Sequence, residues 1–406
     1  MKYQKHENQI FAKLNLILQK VKILNIFKYI IYYFDRIICV FFKTQKKGKN
    51  KKKQILLLAN LGLGDAIIYL SVANKYRQMY PKDKYEITMY VGNHLDKLFI
   101  QETDFDNVEL ISFNEITLNL IRRIKLIKKI REKYYDIVID PMGVTGCTPS
   151  LYLMASCCAE KKISIINNAY SICPQFFREK VYTKLIEVDK KEITNIEYYY
   201  YLINKLLKTK DETIEFYEIK NTDLKIKLPE NFYIVFPSAS TDIKKWEFEK
   251  YGQLIDKIYN KTKMPVIFCG TNTDRRDVEE VIKNIKTAKY INLLGKSSVM
   301  EFIEIIKRAK FVISNDTSAF HIALSQQVSV AIIAGGYTYS GFVTYDFKGN
   351  TYKKPYIIVD KRDCFNCNCN CKYLEKNQKK WPCLEAITVD YAWNIVNKMI
   401  DENINL

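Results

Sequence analysis

The 406-residue sequence predicts an α/β protein. It reads as two parallel sheets, each flanked by helices and facing one another across a cleft, with a basic amphipathic helical extension ahead of them. Three observations carry this expectation. Short, continuously apolar runs alternate with helix-period segments, as strands buried on both faces of a parallel sheet require. The alternation halts at a polar, charged stretch over 209–229 and then starts again, which implies two domains. Finally, the charge is uneven: the chain carries +19, yet residues 1–53 hold fourteen basic side chains against Glu7 and Asp35. Hydrophobic residues at 48% and charged residues at 27% exclude wholesale disorder and a polytopic membrane protein.

The N-terminal extension comes first in chain order. Ile10, Leu14, Ile17, Val21, Leu24, Phe27, Ile31, Phe34, Ile38 and Phe41 recur at helical steps. Lys28, Asp35 and Arg36 interrupt the stripe too often for a membrane-spanning helix, and no small-residue cleavage site marks a signal peptide. The Lys-rich run over 43–53 follows. Apolar side chains that insert at the headgroup boundary, followed by cations, make a two-signal anchor for an anionic membrane surface. The alternative is a helix packed on the body of the protein or on a second subunit, then a solvated linker. A nucleic-acid partner is not expected, because the run lacks interleaved aromatics and Arg.

Strands are expected over 54–59, 86–91, 108–113 and 136–140, with helices over 66–80, 118–133 and 192–208. After the linker come strands over 232–236, 265–269, 290–293, 311–314 and 328–333. Helices ending near 260 and covering 274–285, 299–308 and 317–326 fill the gaps between them, and the chain ends in a further helix. In such folds ligands sit outside the carboxyl ends of the strands, and with two domains the natural site is the cleft between them.

Three strand ends carry candidate chemistry. The first strand ends in Asn60-Leu61-Gly62-Leu63-Gly64-Asp65. Gly62 and Gly64 allow close approach to the backbone. Asp65 is either a helix N-cap or a carboxylate placed to take a proton from an attacking hydroxyl. Neither a P-loop nor GxGxxG is met, since Ile67 stands where the third Gly would be. After the strand over 232–236, Ser238, Ser240, Thr241 and Lys244 supply hydroxyls and an ammonium for a diphosphate, or merely cap a helix. Trp246 belongs to the core or the cleft wall. After the strand over 311–314, Asp316 or Thr317 can cap the next helix, with His321 one turn on; the body's other His is His94.

No catalytic metal site is expected. Asp104 and Asp106 have D-x-D spacing but sit in a polar turn. Cys364, Cys367, Cys369 and Cys371, with Cys383 beyond, form the sequence's one cysteine cluster. Its first spacing suits zinc, whereas the crowded remainder and the absence of a nearby His favour free thiols in a reducing compartment.

Four stretches in order resemble glycosyltransferase family 9, the ADP-heptose:lipopolysaccharide heptosyltransferase family. They are the strand and turn over 55–67, Tyr135-Asp136-Ile137-Val138-Ile139-Asp140-Pro141-Met142-Gly143, Phe236-Pro237-Ser238-Ala239-Ser240 through Lys244-Lys245-Trp246, and Leu293-Leu294-Gly295 through Asn315-Asp316-Thr317-Ser318-Ala319-Phe320-His321. The C-terminal cysteines are also similar to those of many members. The likeness runs from about Ile55 to near Met399. It implies a GT-B fold of two Rossmann-like domains, an inverting transfer without metal or other cofactor, and a nucleotide-sugar donor. Carried over motif by motif, Asp65 takes the general-base place, and Lys244 with Ser240 the diphosphate place. Asp316, Thr317 and His321 line the donor's sugar–phosphate region, and Asp274 lies near the ribose.

The chain departs from the family pattern at Phe236-Pro237-Ser238, at Ser318 and at Ile333-Ala334-Gly335-Gly336, which bears on sugar specificity rather than on fold. The expected organisation is an extension over 1–53, an acceptor-side domain over 54–220, a donor domain over 221–385 and a C-terminal helix over 386–406. The expected function is transfer of a heptose or related sugar to a lipopolysaccharide core or other glycolipid, on the inner face of the cytoplasmic membrane. Two other readings are an epimerase-like relative and a non-catalytic nucleotide-sugar-binding scaffold.

Overall fold

The structure, a computed structural model, describes residues 22–42, 51–113, 119–169, 171–188, 193–209, 213–345, 352–367, 369, 371–373 and 380–403. The stripe ahead of Lys22 and most of the Lys-rich run lie outside these residues. The chain divides between residues 212 and 213 into two compact units.

In unit 1, β1 (Lys53–Ala59) leads through a glycine turn into α2 (Leu63–Ala73) and α3 (Lys75–Met79), which follow α1 (Lys22–Phe41) in chain order. Next come β2 (Tyr85–Val91), α4 (Asp96–Glu102), β3 (Asn107–Leu110), α5 (Leu120–Arg131) and β4 (Tyr134–Asp140). The unit continues with α6 (Pro149–Ser156), β5 (Cys158–Asn167), α7 (Gln175–Val181), β6 (Lys184–Val188) and α8 (Asn195–Leu207). The described strands pair in the order β3-β2-β1-β4-β5-β6, all parallel. Residues 55–59 of β1 are fully buried, as its unbroken apolar run requires.

Local signals set the helix ends. Asn119 accepts from Arg122 N to start α5, whose last turn carries Lys128, Lys129 and Arg131 against the negative end of the helix dipole. Thr194 and Glu197 close a capping box at α8.

Unit 2 repeats the plan. It contains β7 (Tyr233–Phe236), α9 (Phe248–Thr262), β8 (Val266–Phe268), α10 (Arg275–Lys283), β9 (Tyr290–Asn292), α11 (Val299–Arg308) and β10 (Phe311–Asn315). It ends with α12 (Ser318–Ser325), β11 (Ser329–Ile333), α13 (Tyr339–Phe342), β12 (Tyr356–Ile358), α14 (Pro382–Glu385) and α15 (Val389–Asn403). Strand order is β12-β11-β10-β7-β8-β9, again all parallel. Renumbered from its own first strand, each sheet reads 3-2-1-4-5-6, the doubly wound order. Residues 213–229 lie along unit 2, where Ile219 N donates to Gln326 Oε1 (3.0 Å) and Lys307 Nζ to Ile219 O (2.8 Å).

The sequence reading missed β5, β6 and β12. β5 opens on Cys158-Ala159-Glu160-Lys161-Lys162, whose charges hide the buried second half. β6 and β12 are short edge strands that need only one apolar face. The expected helix over 66–80 is two helices meeting at Asn74, whose side chain donates to Glu102 O (3.0 Å).

The α1 helix packs on unit 1. Arg123 Nε donates to Asp35 Oδ1 (2.6 Å), both side chains being buried, and the Tyr29 ring packs tilted against Phe177 with centroids 4.8 Å apart. Asp35, which the sequence shows only as an interruption, clamps the helix to the body.

Candidate active site

Each doubly wound sheet has one point where the chain reverses direction of travel across the sheet. There, the loops after its first and fourth strands splay apart and leave a crevice. In unit 1 these are the loops after β1 and β4, and in unit 2 those after β7 and β10. Of the sequence-chosen residues, Gly62, Gly64, Asp65, Ser240, Lys244, Asp316, Thr317 and His321 follow these strands, whereas Asp274 follows β8.

In unit 1, Gly62 takes the N-cap position of α2 with extended backbone, and no side chain caps the helix. Asp65 is therefore the third helical residue rather than the cap, half-buried, with Asn195 Nδ2 donating to its Oδ1 (3.0 Å). That bond fixes the direction in which the carboxyl points. Asn195 begins α8, 130 positions away. Gly64 is the second residue of α2, and a Cβ on Gly62 would lie 3.5 Å from Asp65 Oδ2, so Gly62 keeps that side of the carboxylate free of a side chain.

At the end of β4 stands Asp140, fully buried and accepting from Met142 N at 3.1 Å. Burial raises its carboxyl to about 7. Just beyond, Gly143 adopts φ +83°, and a Cβ there would meet the Tyr198 hydroxyl at 2.2 Å, so a side chain fits neither the backbone nor the space. Burial above all keeps the hydroxyls of Tyr69 and Tyr182 from ionising, and the Asp140 charge adds to it.

In unit 2, Lys244 ends a short 3-10 turn, Asp242–Lys244, and its Nζ lies 3.6 Å from Asp316 Oδ2 and 5.6 Å from the Tyr337 ring centroid. It keeps 29% of its side-chain surface in solvent, so an anion can reach it. Neighbouring Lys245 is buried in ion pairs with Asp242 (2.7 Å) and Asp277 (2.8 Å) and serves the fold. Ser240 is exposed, whereas the Ser238 hydroxyl is buried with no partner among the described residues.

Thr317 occupies the N-cap position of α12, but its hydroxyl meets Ser314 Oγ at 3.0 Å instead of capping, contrary to the expected cap. His321, buried, shares a 3.1 Å hydrogen bond between Nδ1 and the Tyr345 hydroxyl. Burial lowers it to about 4, outweighing the nearby Asp316, so the ring is neutral at pH 7. Asp274, beyond β8, accepts through Oδ2 from Thr271 N (2.9 Å) and Thr271 Oγ1 (2.7 Å) as half of a capping box.

Sequence reasoning passed over the residue that organises this crevice. Asn315, fully buried, donates to Pro237 O (2.6 Å) and accepts from the Tyr251 hydroxyl (3.0 Å) and Trp246 N (3.3 Å). One amide thus ties the loop bearing Lys244 to the loop bearing Asp316. Trp246 itself is core, its Nε1 bonded to Ile387 O at 3.0 Å.

Asp104 and Asp106 are structural, as their turn suggested: Asp106 accepts from Arg77 and from Ile87 N, and Asp104 pairs with Lys82. Cys364, Cys367, Cys371 and Cys383 line one small recess with Tyr337 and Trp381, while Cys369 is exposed. Among the described residues no group of three or more His, Cys, Asp or Glu side chains is arranged to hold a metal ion.

The family model for glycosyltransferase family 9 (heptosyltransferase) matches residues 123–335, just over half of the chain. The chain belongs to glycosyltransferase family 9. Among curated proteins it is 23% identical over 289 residues to lipopolysaccharide heptosyltransferase 3 of Escherichia coli, covering 67% of this chain and 79% of that one. Solved structures share its fold. The family 9 glycosyltransferase of Veillonella parvula aligns with a TM-score of 0.65 at 17% identity, covering 86% of this chain and 97% of the other. ADP-heptose lps heptosyltransferase II of E. coli aligns with a TM-score of 0.62 at 15% identity, covering 86% and 99%. The protein is thus a glycosyltransferase of the GT-B class, which decides against the epimerase and scaffold readings.

Proposed function

We propose that this glycosyltransferase moves a heptose, or a closely related sugar, from an ADP-linked donor to a lipopolysaccharide core or other glycolipid acceptor, inverting the anomeric centre. The observation that carries this reading is the chemistry at the two crevices: a half-exposed carboxylate aimed by an amide in one, and a solvent-reachable ammonium beside buried polar groups in the other. Asp65 takes the proton of the acceptor hydroxyl as its oxygen attacks the anomeric carbon from the face opposite the leaving group. The bond from that carbon to the diphosphate oxygen breaks, and ADP departs with the electron pair.

Lys244, with Ser240 on the same loop, offsets the charge on the diphosphate. Asp316, Thr317 and the neutral His321 position the sugar–phosphate portion, and Asp274 stands toward the ribose. No step in this scheme requires a metal ion. A glycolipid acceptor is confined to a membrane, so the reading includes peripheral attachment to the inner face of the cytoplasmic membrane through residues 1–53.

A thermal-shift series with ADP-, GDP-, UDP- and CDP-sugars, with and without EDTA, tests donor and metal dependence together. The expected result is stabilisation by the ADP-sugar that chelator leaves unchanged. Stabilisation by a different nucleotide, or its loss in EDTA, would refute the corresponding part.

A further inference from the structure

The α1 helix is apolar on both sides. Tyr32, Asp35, Ile38 and Cys39 face unit 1 and are buried. On the opposite side Ile26, Phe27, Ile30, Ile37, Val40 and Phe41 are each 53–80% exposed. Between residues 26 and 41 the charged residues are Lys28, Asp35 and Arg36, and Asp35 is turned inward. A helix apolar all round belongs in a buried place, and a contiguous exposed apolar ridge marks a surface that something covers.

A second helix supplies the charge. Asp35 pairs with Arg123, Ile38 and Cys39 pack with Ile127, and Arg131 Nε donates to Phe42 O (3.2 Å). The partners advance together along both helices, so α1 and α5 lie side by side and parallel. On α5, Ile121, Lys125 and Lys128 are exposed and fall opposite the buried Leu126 and Ile130. The α5 helix has no acidic residue.

We infer that α1 and α5 together form a rigid docking face for an anionic lipid bilayer, the ridge of α1 entering the acyl boundary and the α5 cations meeting the headgroups. The two layers of the face match the two layers of a membrane interface. No described helix is long and apolar enough to cross a membrane, so α1 lies along the surface. A twofold pairing of two copies through this face would instead bring the α5 lysines toward their counterparts. Because the buried ion pair and aromatic packing hold α1 to unit 1, the face sets the orientation of that unit on the bilayer rather than merely tethering it. This deepens the membrane part of the function proposed above and is independent of which sugar is moved.

Co-sedimentation of the full chain with phosphatidylglycerol-containing vesicles, against phosphatidylcholine vesicles, tests it. The wild type is expected to bind the anionic vesicles. Ile37→Glu with Val40→Glu, at exposed positions and with an unchanged circular-dichroism melt, should lower binding at least tenfold. Lys125→Gln with Lys128→Gln removes two cations worth about 1 kcal/mol each near such a surface, or about 30-fold in affinity at low salt, a difference that shrinks in high salt. Wild-type binding by either variant would overturn the two-helix face. A dimer in light scattering that ignores vesicles and is lost in the glutamate variant would assign the face to a second copy and overturn it too. ADP titration of the same samples separates the two proposals: normal vesicle binding without ADP affinity supports this face and refutes the sugar-transfer reading.

Discussion

The two units share strand order, parallel pairing and the position of their crevices, yet the crevices differ in charge. That of unit 1 is framed by two carboxyls, Asp65 half-buried and aimed by Asn195, Asp140 sealed in and raised to about 7. That of unit 2 offers Lys244 beside Asp316, the buried amide of Asn315, a Ser238 hydroxyl without a partner among the described residues, and a neutral imidazole. Topology provides the location in both cases, and side chains decide what each location does. In the proposed reaction the crevice bearing Asp65 removes a proton, and the one bearing the solvent-reachable Lys244 receives the departing diphosphate.

The largest effect that can break this division is at Asp65. Asp65→Asn should lower transfer by about 10²–10⁴-fold while the dissociation constant for ADP, measured by calorimetry, stays within twofold. An equal loss of ADP affinity would erase the distinction between the crevices. Lys244→Ala should do the reverse, weakening ADP-sugar binding by about 10- to 100-fold, the range for hydrogen bonds to charged groups.

Asp140 sharpens the contrast within unit 1. Below about pH 4 it is protonated in folded and unfolded chains alike. Between pH 4 and 7 the unfolded chain releases that proton first, so stability falls as pH rises and the loss is complete above 7. Asp140→Asn escapes this. It should be more stable than wild type by roughly 2–4 kcal/mol in urea unfolding at pH 8, and level with it near pH 4. The smallest expected change is at Asn195. Asn195→Ala should lower kcat about tenfold with ADP affinity unchanged, because Asp65 loses the donor that aims it. A kcat equal to wild type would make Asn195 merely structural.

The central strands were plain in the sequence because burial on both faces demands unbroken apolar runs: β1, β7 and β10 are Leu-, Ile- and Val-rich and fully paired. Edge strands escaped because one face suffices for them; β6 reads Lys184-Leu185-Ile186-Glu187-Val188, which composition cannot separate from a loop. The charged residues at the strand ends could be read because strand, turn and helix place them locally. Asn315 and Asn195 could not, since each amide acquires its role from partners 64–130 positions away. Asp140 was visible within a family motif, but its burial is a property of the packed sheet.

The Asn315 amide has one more consequence. Because it fastens Pro237, Trp246 and Tyr251 through a single buried side chain, the segments carrying Lys244 and Asp316 hold their spacing before any nucleotide arrives. In the proposed reaction, capture of the leaving group would then spend little conformational freedom inside this lobe, and recognition there would resemble a key meeting a finished lock.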